Sequence, residues 1–186
     1  MKKSLVEHLD QIDDFRRGEG QRHELTLILL IIIMATINGY HGIRAMGDFV
    51  KRNREELIQC LKPTKNRLPS YSTIRRVLIG IDFEEFANQF YLWSKDYIDI
   101  KENEWISVDG KSIKGTMIGY NSSQQHFINL ISIFTSQQKM VLSVAKVSNS
   151  KESEIPVVQQ AIKMLDIEGV VFSLDALHCQ KKRQKS

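Results

Sequence analysis

WISVDGKSIKG, residues 105–115, is the stretch on which the reading of this chain turns. Before it, apolar residues recur every three or four positions, the spacing of amphipathic helices. From Trp105 onward they gather instead into short runs rich in β-branched and aromatic residues, bounded by polar, turn-like segments, which is the signature of strands. The period changes near Ile100, so the sequence divides into a helical region, 1–100, and an α/β region, 101–186, giving an α+β protein overall.

Three strands are predicted at WISVD (105–109), FINLISIF (127–134) and MVLSVAKV (140–147). Only TSQQK separates the second from the third, short enough for a hairpin, so these two are expected to pair antiparallel. SEIPVVQQAIKMLDIEG (153–169) then returns to helical spacing, with Ile155, Val158, Ile162 and Leu165 on one stripe. Pro156 is tolerated in the first turn, and Gly169 suits a C-terminal stop. GVVFSLD follows as a fourth strand, which its apolar run marks as buried on both faces. The order β-β-β-α-β makes the helix a crossover connection.

Asp109 ends the first predicted strand and Asp175 the fourth. If those strands are parallel neighbours, the two carboxylates meet at the sheet edge where open α/β sheets bind ligands. Like charges brought together repel unless one is protonated or a cation lies between them. Magnesium suits such a pair, being a hard ion that takes carboxylate, water and phosphate oxygens, and metal-assisted displacement at phosphorus follows from that chemistry. The alternative is structural, because aspartates at strand ends also cap helices and open turns, and Asp109-Gly110 is a turn-forming dipeptide.

In the helical half, SLVEHLDQI, the apolar run LTLILLIIIMATI (25–37), GIRAMGDFVKRNREELIQCL and STIRRVLIGI all carry helical signals. The apolar run is 13 residues long where a membrane helix needs about 20, and a charged stretch precedes it, so it is read as a buried core helix with no membrane role. Asp82 and Glu85 have capping-box spacing, and Phe83, Phe86, Phe90 and Trp93 follow at helical spacing as core residues. Cys60 and Cys179 show none of the paired spacings of zinc or redox sites and read as reduced thiols, which favours a cytoplasmic location.

The formal charge of +4 comes entirely from Lys181, Lys182, Arg183 and Lys185. Within residues 39–80, however, nine basic groups stand against three acidic ones, a local excess that suits either phosphates or a solvated helical face. Arg75 and Arg76 could begin a recognition helix in a DNA groove. The alternative packs Ile74, Val77 and Leu78 inside and leaves both arginines in water. Lys111 and Lys114 are DNA-phosphate candidates or ordinary loop lysines. Glu154 suits the positive end of its own helix, and His126 and His178 are read as packed groups.

Three motifs, VDGKSIKG (108–115), VSNSKESEIP (147–156) and SLDALHCQKK (173–182), resemble the bacterial insertion-sequence transposases of the H-repeat-associated group. FRRGEGQRHELTLILLIIIMATINGYHGIRAMGDF (15–49) and LPSYSTIRRVL (68–78) resemble the helical region of the same group, so the likeness covers nearly the whole chain. It implies an RNase H-like domain with a DDE-type triad, magnesium as cofactor, and transposon-end DNA as partner. Asp109 matches the first acid and Asp175 the second. Such enzymes cut DNA at the element's ends with metal-activated water and use the freed 3' hydroxyl to attack target DNA. The third acid, a glutamate, lies downstream in that group, whereas no Asp or Glu follows Asp175 here. The expectation is therefore a copy truncated after the fourth strand and inactive as an enzyme. The alternatives are a DNA-binding or interfering fragment and an inert remnant, with homo-oligomerisation left open.

Overall fold

Ser4 begins the first helix by a reciprocal cap: its hydroxyl accepts from Glu7 N while the Glu7 carboxylate accepts from Ser4 N at 2.7 Å, satisfying donors that a helix start otherwise leaves free. The computed structural model describes residues 2–98, 100–118, 126–135, 141–148, 158–159, 162–163, 165 and 167–174. Their elements are helices α1 (Leu5–Leu9), α2 (Leu25–Ile37), α3 (Ile43–Arg52), α4 (Arg54–Leu61), α5 (Tyr71–Gly80) and α6 (Phe83–Lys95), and strands β1 (Trp105–Ile118), β2 (His126–Thr135), β3 (Val141–Ser148) and β4 (Val171–Leu174). The architecture is α+β, as expected. The chain divides into two compact units, Met1–Gln89 and Phe90–Ser186.

In the first unit α2 is the central element. It is apolar on every side, which a helix sustains only when surrounded by other protein, and Leu25, Leu27, Ile28, Leu29, Ile31 and Ala35 are all buried. Met46, Phe49 and Val50 of α3, Leu57 of α4, and Ile74 and Val77 of α5 join it in one core. Each such aliphatic side chain contributes roughly 1.5–3 kcal/mol by leaving water. Among the described residues, no helix is long and apolar enough to cross a membrane.

Two local expectations in this unit are corrected. GIRAMGDFVKRNREELIQCL is two helices, broken at Asn53, whose backbone N–H and side-chain amide both donate to Phe49 O at 3.0 and 2.8 Å. Its own carbonyl accepts from Leu57 N, so one residue closes α3 and opens α4 with its polar groups satisfied. The cap at Asp82 is one-sided. Asp82 Oδ1 accepts from Glu84 N and Glu85 N, while the Glu85 carboxylate accepts instead from Asp13 N at 2.9 Å.

In the second unit the sheet order is β3-β2-β1-β4. β2 and β3 pair antiparallel, as expected of the hairpin; residues 136–140 between them lie outside the described residues. β1 and β4 are parallel neighbours, in register from Trp105 opposite Val171 to Val108 opposite Leu174. The predicted crossover helix falls largely outside the described residues, but Val158, Gln159, Ile162, Lys163 and Leu165 are helical. Val158 and Leu165 are buried with Ile106, Val108, Ile131, Ile133 and Leu142, and Tyr91 donates its hydroxyl to Leu165 O at 3.1 Å. Gly169 has φ 72°, the left-handed conformation its assigned stop requires.

Two further corrections concern the strands. β4 is the edge strand among the described residues, and Val171, Phe172, Ser173 and Leu174 alternate between exposed and half-buried, so the strand is not buried on both faces. β1 continues well past Asp109, pairing with β2 through Ile113 opposite Ile128, so Asp109-Gly110 is extended backbone and not a turn.

Candidate functional site

Strand periodicity determines what β1 can present. Ile106 and Val108 point into the core of the second unit, so Ser107, Asp109 and Lys111 lie on the other face. Asp109 and Lys111 are exposed there and Ser107 is half-buried. Across the antiparallel ladder Asp109 stands opposite Ser132, and Lys111 opposite Leu130.

Asp109 is thus not at the strand's end but within β1. The last described pair of the ladder with β4 is Val108 opposite Leu174, and each of these residues is followed in sequence by an aspartate. Asp175 itself lies outside the described residues, as do Glu154, His178 and Cys179; Lys114 and His126 are in strands, with their side chains outside the description. Among the described residues Asp109 forms no ion pair, and no group of three or more His, Cys, Asp or Glu side chains converges to hold a metal. The exposed carboxylate of Asp109 has the donor chemistry that a hard divalent ion takes.

Arg75 and Arg76 project from α5 into water, while Ile74 and Val77 are buried beneath them. This agrees with the amphipathic packing considered for this helix, except that Leu78 is 38% exposed and not part of the core. Arg76 lines a cavity together with Arg22, Arg54 and Arg67. Arg54 and Arg67 belong to the basic excess over residues 39–80, whereas Arg22 lies outside it and no local pattern links it to them. Cys60 is an exposed free thiol.

The family model described as "DDE_Tnp_1-associated" matches residues 6–94. Two proteins of Escherichia coli (strain K12), "H repeat-associated putative transposase YhhI" and "H repeat-associated putative transposase YbfD", are each 32% identical to the chain over 180 residues. The match covers 96% of this chain in both cases, with 46% of the first relative and 69% of the second. This chain therefore spans about half the length of the first of these. "Inactive transposase YbfQ" of the same organism is 34% identical over 76 residues, covering 41% of this chain and 89% of its own length.

Proposed function

The chain belongs to the family of H repeat-associated transposases, and on that premise we propose that its α/β unit is the opening part of an RNase H-like DDE domain. Asp109 and Asp175 serve in it as magnesium ligands acting on DNA at an element's ends. The observation that carries this reading is the parallel register of β1 with β4, which runs up to the residue before each aspartate. A magnesium ion held by such carboxylates would polarise a phosphate oxygen and make bound water acidic.

The residues' own contributions are specific. Asp109 offers an exposed carboxylate, unpaired among the described residues, on a strand that is hydrogen-bonded on both sides, so its backbone is positioned before any ligand arrives. Lys111, exposed on the same face two residues on, can meet a phosphate as a point charge, and Lys114 belongs to the same basic stretch. The helical region supplies DNA contacts, among them Arg75 and Arg76.

No Asp or Glu follows Asp175 in this sequence, so the chain by itself brings two of the three carboxylates that DDE chemistry uses. These 186 residues alone are therefore expected to bind DNA without cutting it. A nicking assay with magnesium on end-bearing duplex tests this: the 186-residue chain should leave the DNA intact. Extending it beyond Asp175 with the unmatched remainder of YhhI should produce nicking that Asp109→Asn and Asp175→Asn each abolish. Nicking by the extended chain that survives both substitutions would refute the assignment.

A further inference from the structure

We propose that Arg22, Arg54, Arg67 and Arg76 form a groove on the helical unit that binds the phosphodiester backbone of DNA. The proposal rests on the transposition reading for its choice of polyanion, but its site is distinct from the two aspartates.

The four arginines come from four places in the sequence: the segment before α2, the start of α4, the α4–α5 connection, and α5. They line one cavity of about 710 Å3. Among the described residues Glu19 is the one carboxylate lining it, against four guanidinium groups. All four arginines are exposed, and none forms an ion pair with a described carboxylate. Arg54 donates to Asn66 O and Arg76 to Ser72 O, both at a long 3.4 Å. With five donors on each guanidinium, nearly all of the hydrogen-bonding capacity is uncommitted. Such forks match phosphate oxygens in pairs.

Two more features point the same way. His23, which also lines the cavity, has its pKa lowered, first by partial burial and then by the positive charges of Arg22, Arg16 and Arg67. The side chain is thus held neutral within a positive field. The loop that carries Arg67 holds three non-glycine residues, Lys62, Lys65 and Asn66, at positive φ. Such conformations are unfavourable and cluster where a ligand is held.

The shape favours a chain over a small anion. A second cavity of about 430 Å3 shares Arg22, His23 and Arg67 and is lined also by Lys62 and by the carboxylates of Asp10 and Glu24. A single phosphate would be held by buried donors closing around it. An exposed basic strip running past several arginines fits a polyanion that presents a charge about every 3.4 Å along each strand.

The test is fluorescence anisotropy of a labelled mixed-sequence duplex with the full 186-residue chain, in chelator so that metal plays no part. The chain should bind, and Arg22→Ala and Arg67→Ala should each weaken binding about tenfold and reduce the slope of log affinity against log salt by about 1. Arg22→Lys and Arg67→Lys should restore the slope, which separates charge from misfolding. An unchanged slope in the double alanine variant, no duplex binding by the parent chain, or a clear preference for an RNA hairpin would each overturn the groove. None of those results bears on the aspartates, whose failure would appear in the nicking assay alone.

Discussion

Val108 of β1 and Leu174 of β4 face each other as the last described pair of the parallel ladder, and the residue after each is an aspartate. If both carboxylates bind one cation, each must matter to it. Two such ligands without a third hold a divalent ion loosely, with a dissociation constant on the order of 1 mM. Manganese, a paramagnetic substitute, should broaden the amide signals of Asp109 and Gly110 at millimolar concentration, and Asp109→Asn or Asp175→Asn should each abolish that broadening. Broadening indifferent to both substitutions would sink the shared-ligand assignment.

Acid should loosen the helical unit through Asp14. Arg16 donates to it from Nε at 2.8 Å and from Nη2 at 2.7 Å, and these bonds hold the Asp14 carboxyl below the ordinary aspartate range. A lowered pKa means that the unfolded chain takes up the proton first. The stabilisation is therefore complete above the ordinary aspartate pKa and fades as pH falls through the lowered one. Thermal midpoints measured over that fall in pH should drop less steeply for Asp14→Asn than for the parent chain. Arg16 also donates to His23 O at 2.9 Å, so Arg16→Ala should cost about 2 kcal/mol, more than loss of a surface pair.

How much of this was legible beforehand depended on how local the cause was. The strands, the β2–β3 hairpin and the crossover could be read because strand periodicity and connection length act over few residues, whereas β1 beside β4 stood only as a condition and the pairing of β1 with β2 was not read. The length of β1 could not. Asp109-Gly110 is a turn signal on its own, and only pairing with β2 keeps it extended. The break at Asn53 was hidden because strong helix formers flank it on both sides, and the bonds that stabilise the break come from Asn53 itself. The basic excess that contains Arg54 and Arg67 was legible, but its convergence with Arg22 was not, since the fold of the helical unit brings them together and no spacing encodes it.

Thr135 offers a test of the second core. Its hydroxyl is buried with no hydrogen-bond partner, on a strand position opposite Ile106. A desolvated, unpartnered hydroxyl costs free energy that an isosteric methyl does not. Thr135→Val should therefore stabilise the protein by about 1 kcal/mol, whereas Ile131→Ala in the same core should destabilise it by roughly 2–5 kcal/mol through the cavity it leaves. Denaturant midpoints would decide, and a clear loss of stability in Thr135→Val would show that the hydroxyl is satisfied.

Two glycines in helices should respond oppositely to alanine, although propensity alone favours the change by about 1 kcal/mol at each. Gly47 of α3 sits against α5, where an added Cβ would stand 2.6 Å from Tyr71 Cβ and 3.4 Å from its Cα. Those atoms belong to or adjoin the backbone of α5 and cannot turn aside, so the helices must separate, at a cost of roughly 1–3 kcal/mol. At Gly80 the obstacle is the Phe15 ring. That side chain is 45% exposed and can rotate away, losing part of its contact but leaving the backbone in place. Gly47→Ala should therefore lower the denaturant midpoint, while Gly80→Ala should leave it unchanged or raise it slightly. Equal losses at both sites would mean that Phe15 is held as firmly as the α3–α5 crossing.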